Sequence, residues 1–129
     1  MLVSAQRPCA EGQHDGSNKV KRETKDMKVY KFGGASVRNA EGVRNLRNII
    51  DDEQNLFSSV SAMGKTTNAL ERVFEGVQRG DREKSAAEIA RLREYHAAII
   101  DDLWHGPTRL ERVEALFAEL DRVAAETQY

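Results

Sequence analysis

The chain has 129 residues, 40% of them hydrophobic and 32% charged, the ordinary composition of one soluble domain with a modest core, which excludes fibrous and wholly disordered classes. Its 20 basic and 21 acidic side chains leave a net charge of -1, so no global field draws in nucleic acid or an anionic membrane surface. No apolar run approaches the roughly 20 residues that span a bilayer, and Cys9, the lone cysteine, excludes an intrachain disulfide or a cysteine-built zinc site and fits a reducing cytoplasm.

Residues 1–26 are polar, carry Pro8, Gly12 and Gly16, and end in a mixed-charge run from Lys19 to Asp26 without hydrophobic periodicity. Such a segment is expected to be disordered. It lacks the apolar centre of a secretory signal, and its acidic residues argue against a transit peptide. They also weaken a reading as a nucleic-acid-binding arm.

Lys28-Val29-Tyr30-Lys31-Phe32 reads as a short strand rich in β-branched and aromatic residues that breaks at Gly33-Gly34 before Ala35-Ser36-Val37. Glycines without Cβ atoms let backbone N–H groups approach an anion, Lys31 adds a point charge, and a helix opening near Asn39 would aim its positive dipole end at the same place. Neither a Walker A nor a dinucleotide-binding glycine spacing is present. On the residues alone, a phosphate-holding turn and a merely tight strand-to-helix turn both stay open.

A helix follows, with Asn39 as N-cap, Glu41 in its first turn and Val43, Leu46 and Ile50 at helical spacing. The acids of Asp51-Asp52-Glu53 read as a solvated turn at its end rather than as a catalytic pair. The second strand is expected over Leu56 to Ser61, its apolar run diluted by Ser58 and Ser59. It leads through Ser61-Ala62-Met63-Gly64-Lys65-Thr66-Thr67 into a further helix. In a parallel sheet both strand-to-helix turns emerge at the carboxyl edge, where ligands of such sheets bind. Ser61, Thr66 and Thr67 can donate to a carboxylate, while Lys65 is either a ligand group or a solvated charge.

Leu70, Val73, Phe74 and Val77 place a helix over Thr67 to Arg79 with Gly80 as its stop. Ser85 with Glu88 has the spacing of a capping box, and Ile89, Leu92, His96, Ile99 and Leu103 then descend one face to a break at His105-Gly106-Pro107. Thr108 with Glu111 repeats the box, and Leu110, Val113, Phe117, Leu120 and Ala124 repeat the stripe. The pair predicts an antiparallel helical hairpin over about 85–125. His96, with no acid or cysteine spaced to orient it, reads as a packing histidine rather than a base. Tyr95 and Trp104 are expected to close the base of the hairpin or to cover neighbouring core.

Lys31-Phe32-Gly33-Gly34-Ala35-Ser36-Val37 followed by Ser61-Ala62-Met63-Gly64-Lys65-Thr66-Thr67-Asn68-Ala69-Leu70 resembles the amino-terminal part of an aspartokinase, a member of the amino acid kinase superfamily, over residues from about Met27 to Tyr129. The resemblance implies an α/β fold: an incomplete amino acid kinase fold, a parallel-sheet three-layer α/β/α arrangement with the helical hairpin inserted. Residues 27–129 would then be the N-terminal portion of a catalytic domain. The implied reaction moves the γ-phosphoryl group of ATP to the side-chain carboxylate of L-aspartate, giving 4-phospho-L-aspartate and opening lysine, threonine and methionine synthesis. Phosphoryl transfer needs positioning and charge stabilisation more than a strong base. By resemblance, Lys31 is the catalytic charge on the transferred phosphate, and Lys31, Phe32, Gly33, Gly34 and Ser36 hold ATP. Ser61, Thr67 and Thr66 contact L-aspartate. Mg2+ arrives with ATP, bridging its phosphates, with no separate set of metal ligands.

The same resemblance implies a cytoplasmic enzyme that forms a homo-oligomer when complete and has no nucleic-acid or membrane partner. Family members usually carry aliphatic residues where this chain has Ser58 and Ser59. The Phe-Gly-Glu motif, the adenine- and metal-binding half and the effector-binding ACT domains of the family are absent from the sequence given, so the chain is expected to be an inactive fragment. Residues 1–26 would be either disordered or an artefactual extension ahead of a natural start at Met27. Uncovered strand edges and helix faces predict marginal folding or self-association. Two other readings compete. One is a kinase of the same superfamily acting on acetylglutamate, carbamate or uridylate, against which the Ser61 to Thr67 stretch argues; the other is a non-catalytic module whose hairpin docks a partner.

Overall fold

A computed structural model describes residues 26–105 and 107–127, with nothing said of the side chains at 107–109. The expectation for the N-terminal segment and the Thr108 capping box therefore lie outside the described residues. Within them the chain is α/β. Strand β1 (Lys28–Phe32) leads through a 3-10 turn (Gly34–Val37) into helix α1 (Ala40–Ile50), strand β2 (Leu56–Val60), and helices α2 (Thr66–Gln78), α3 (Arg82–Leu103) and α4 (Pro107–Glu126).

The strands pair in parallel, Lys28 opposite Leu56 and Phe32 opposite Val60, with α1 as the crossover that parallel pairing requires. Asn39 caps α1 as its residue type predicts, its Oδ1 accepting the Gly42 N–H at 2.8 Å. Between Gly33 and that helix a 3-10 turn intervenes, closed by the Ser36 N–H donating to Gly33 O at 3.0 Å, and the α1 N-terminus already spends its Gly42 amide on Asn39.

Glu53 is not the idle surface acid that its place after α1 suggests. It accepts from Lys28 Nζ at 2.9 and 2.8 Å and from the Tyr30 hydroxyl at 2.9 Å, fastening the start of β1 to the turn before β2. The hydrogen bond from Lys28, then that from Tyr30, pulls the Glu53 carboxyl below its ordinary range, while the bond to Glu53 pushes Lys28 and Tyr30 upward. A depressed carboxyl stabilises the fold above its unfolded pKa, about 4.3, and loses that contribution as pH falls through the lower folded value. The raised Lys28 and Tyr30 stabilise below about pH 10 and lose their share as pH rises through their folded values. A Glu53→Gln chain is expected to melt slightly lower at neutral pH and to show a shallower fall of Tm toward acid; superimposable Tm profiles would refute this tie.

Most of the packing lies among the helices. Ala69, Val73, Ile89, Leu92 and Phe117 form one buried cluster, flanked by Val77, Tyr95, Val113, Leu120 and Ala124. Helix α3 runs antiparallel to α2, as Arg72 to Glu88 (3.0 Å) and Ser85 Oγ to Val73 O (3.2 Å) show, and antiparallel to α4, with Arg93 reaching Asp121 at 2.6 Å. The predicted α3–α4 hairpin is thus the second half of a three-helix stack. Gly76 is what lets α2 come close, since a Cβ there would lie 2.4 Å from Ser85 Oγ.

Two expected details change with this packing. The Ser85–Glu88 capping box does not form: Asp81 caps α3, its side chain accepting the Lys84 N–H at 3.0 Å. Ser85 and Glu88 lie a turn inside the helix, buried against α2, because their hydrogen-bonding groups are taken by Val73, Asp81, Arg72 and Arg91. Helix α2 ends at Gln78 with Gly80 at φ 71°, the left-handed stop its glycine predicts. His96 is indeed a packing residue, its Nδ1 2.8 Å from Leu92 O and its ring edge-on to Tyr95 and Phe117.

The sheet is poorly covered by comparison. Tyr30 and Phe32 share one face, their rings nearly perpendicular with centroids 6.3 Å apart, and Phe32 is buried. Val29 and Phe57, on the other face, remain 56% and 59% exposed. Among the described residues no helix is long and apolar enough to cross a membrane.

Candidate functional site

The two strand-to-helix turns meet at the carboxyl ends of the strands. The Ser61 N–H donates to Phe32 O at 2.9 Å, continuing the ladder one step past β2, and the Gly64 N–H donates to Gly34 O at 2.9 Å. Contact is close enough that a Cβ on Gly34 would lie 2.6 Å from Gly64 O and 2.7 Å from Ala62 O. Gly64 itself has φ 55°, a left-handed conformation that favours glycine, and a Cβ there would strike the Tyr95 hydroxyl at 2.6 Å. Gly33 has nothing within 4 Å of its would-be Cβ and no special backbone angle. Of the glycine pair, therefore, only Gly34 is demanded by close approach.

The sequence-derived residues fall into three groups around this junction. Lys31 is exposed on β1 in register with Ser59, on the face opposite Phe32. Gly33 is exposed, Ser36 is half-buried and Phe32 is buried, so Phe32 presents its backbone carbonyl to the junction while its ring packs away. Ser61 and Thr67 are exposed at the second turn. The Thr66 hydroxyl donates to Met63 O at 2.6 Å, so its proton is engaged within the turn. Lys65 takes the N-cap position of α2 without a side-chain cap bond, which leaves that helix end uncapped by its own sequence.

Of the two places expected for Tyr95, the base of the hairpin or a cover over neighbouring core, it takes the second, packing against the helical cluster. From α3 its hydroxyl donates to Arg38 O just past the 3-10 turn, and burial pushes that hydroxyl's pKa up. It therefore joins the three-helix stack to both turns. Beside it opens a cleft of about 460 Å³ lined in part by Arg38, Lys65, Arg72, Glu88, Arg91 and Tyr95. Lys65 and Thr66 alone among the sequence-derived residues line it. The others come from three separate segments, and nothing in their local spacing announced that they converge.

Among the described residues, no group of three or more His, Cys, Asp or Glu side chains is placed to hold a metal ion. No family model matches the chain. Over 109 residues it is 35% identical to the aspartokinase of Chlamydia trachomatis serovar D, an alignment that takes in 78% of this chain and 24% of that protein. The chain thus spans about a quarter of the length of this curated relative, and the likeness supports a partial relationship to aspartokinases and points to a kinase family.

Proposed function

We propose that this chain is the phosphate- and aspartate-contacting end of an aspartate kinase, transferring the γ-phosphoryl group of ATP to the side-chain carboxylate of L-aspartate. The observation that carries the reading is the Gly34–Gly64 junction, which brings two strand-to-helix turns together at the carboxyl edge of a parallel pair. Similarity to an aspartokinase over the same segment supports it.

In this reading Lys31 neutralises charge on the transferred phosphate, and the backbone from Phe32 through Gly33 and Gly34 to Ser36 shapes the phosphate turn. Ser61 and Thr67 hold the aspartate, and Thr66 joins them by turning its hydroxyl from Met63 O. The nucleophile needs no strong base, since an aspartate side chain with a pKa of about 3.9 is already ionised at neutral pH. Mg2+ bound with ATP would supply charge neutralisation on the phosphates, and no side chain of this chain is assigned to hold it.

The test uses Mg-ATP protection of the 129-residue chain against limited proteolysis. Wild type is expected to gain protection and Lys31→Ala to need about tenfold more ATP, the loss of one charge-assisted contact. With aspartate and ATP, this chain alone is expected to give no turnover; measurable ADP release would show that it needs no further machinery. Equal protection of both chains, or of neither, would instead favour a non-catalytic module built on the α2–α4 stack, where most of the apolar burial lies.

A further inference from the structure

The cleft beside Tyr95 has a charge pattern that the Gly33-Gly34 turn does not share. Four basic side chains, Arg38, Lys65, Arg72 and Arg91, line it against a single carboxylate, Glu88. Glu88 is buried, and its two oxygens are both engaged, Oε2 by Arg72 Nε at 3.0 Å and Oε1 by Arg91 Nη1 at 2.9 Å. One carboxylate thus splints two guanidinium groups from different helices and leaves each with further N–H donors. Holding both forks in place lowers the ordering cost for an anion that binds them.

Arg38 and Lys65 complete the ring from the two turns, and neither has an ion-pair or hydrogen-bond partner for its side chain among the described residues. The net excess is three positive charges. Ala69, Leu92 and Tyr95 give the same cleft an apolar wall, and its volume suits a small organic molecule.

We propose that this cleft binds a multiply charged, phosphate-bearing small molecule, at a site separate from Lys31 and the Gly33-Gly34 turn. Guanidinium forks match phosphate oxygens in pairs, and an anion of two or three charges balances the excess that Glu88 leaves. The inference does not depend on the kinase reading, since no residue it needs is assigned to ATP there.

The probe is inorganic pyrophosphate, titrated calorimetrically into the full chain at low ionic strength, where screening is weakest. The Lys31→Ala chain is expected to keep the cleft's binding event and to lose only the separate event at the glycine turn, since Lys31 does not line the cleft. Arg38→Gln and Lys65→Gln are each expected to weaken binding roughly tenfold, the loss of one charge-assisted hydrogen bond. Both remove side chains without native ion-pair partners, so folding is not put at risk, and circular dichroism confirms it. Absence of heat with wild type would overturn the proposal. So would binding that survives Arg38→Gln and Lys65→Gln but is lost in Lys31→Ala, which would place the anion at the glycine turn. Equally tight binding of citrate would overturn the preference for phosphate.

Discussion

An Ile89→Ala chain is expected to lose about 2 to 5 kcal/mol of stability, the cost of emptying a buried aliphatic site whose surroundings relax only in part. Ile89 is 1% exposed at the centre of the α2–α3–α4 cluster, where residues of all three helices meet. A domain of this kind holds only about 5 to 15 kcal/mol in total, so the variant should be partly unfolded at 37 °C. Urea titration measures it as a fall in midpoint with little change in slope. Leu116 on α4 is as apolar but 71% exposed, and Leu116→Ala is expected to stay within about 0.5 kcal/mol of wild type. Equal losses for the two variants would show that the helical cluster is not the core.

Gly34→Ala and Gly33→Ala, neighbours in sequence, are expected to differ in sign. The methyl group of the first runs into Gly64 O and Ala62 O at 2.6 and 2.7 Å, backbone atoms that cannot rotate aside. The turns must part, at a cost of about 1 to 3 kcal/mol typical of overpacking, and Mg-ATP protection should fall with them. The second methyl group meets nothing within 4 Å at an ordinary backbone angle. It should be neutral or stabilising by about 0.4 to 1 kcal/mol, by restricting the unfolded chain. Unfolding curves and ATP protection measured on both variants decide it: a Gly34→Ala chain as stable and as well protected as Gly33→Ala would mean that the two turns are not joined.

The elements that the sequence announces are those fixed by local chemistry. Asn39 caps, Gly80 stops and the Leu110 to Ala124 stripe buries one face because each depends on residues within a turn or two. Ser85 and Glu88 show the limit of such reading. Their Ser-x-x-Glu spacing belongs equally to a capping box and to a helix interior, and the close approach of α2 at Gly76 decides for the interior. The 3-10 turn after Gly33 was hidden for a similar reason, since its hydrogen bond and its contact with Gly64 depend on where β2 lies. The basic cleft was invisible outright. Arg38, Arg72 and Arg91 are three among 20 basic residues, and only tertiary packing sets them around Glu88. The roles given to Lys31, Ser61 and Thr67 rest on likeness to aspartokinases, and the fold contributes the junction beside them.

The lightly covered pair of strands has a consequence for motion. Both turns hang between a ribbon whose main contacts are its own pairing and the 3-10 turn, and a helical stack that holds most of the buried apolar surface. Amide hydrogen exchange should therefore divide the chain, with β1 and β2 exchanging through shallow local openings and the cluster around Ile89 only through deep ones. Since Gly34 and Gly64 sit on that boundary, an anion that clamps the turns together would slow exchange across the ribbon while leaving the helices nearly untouched.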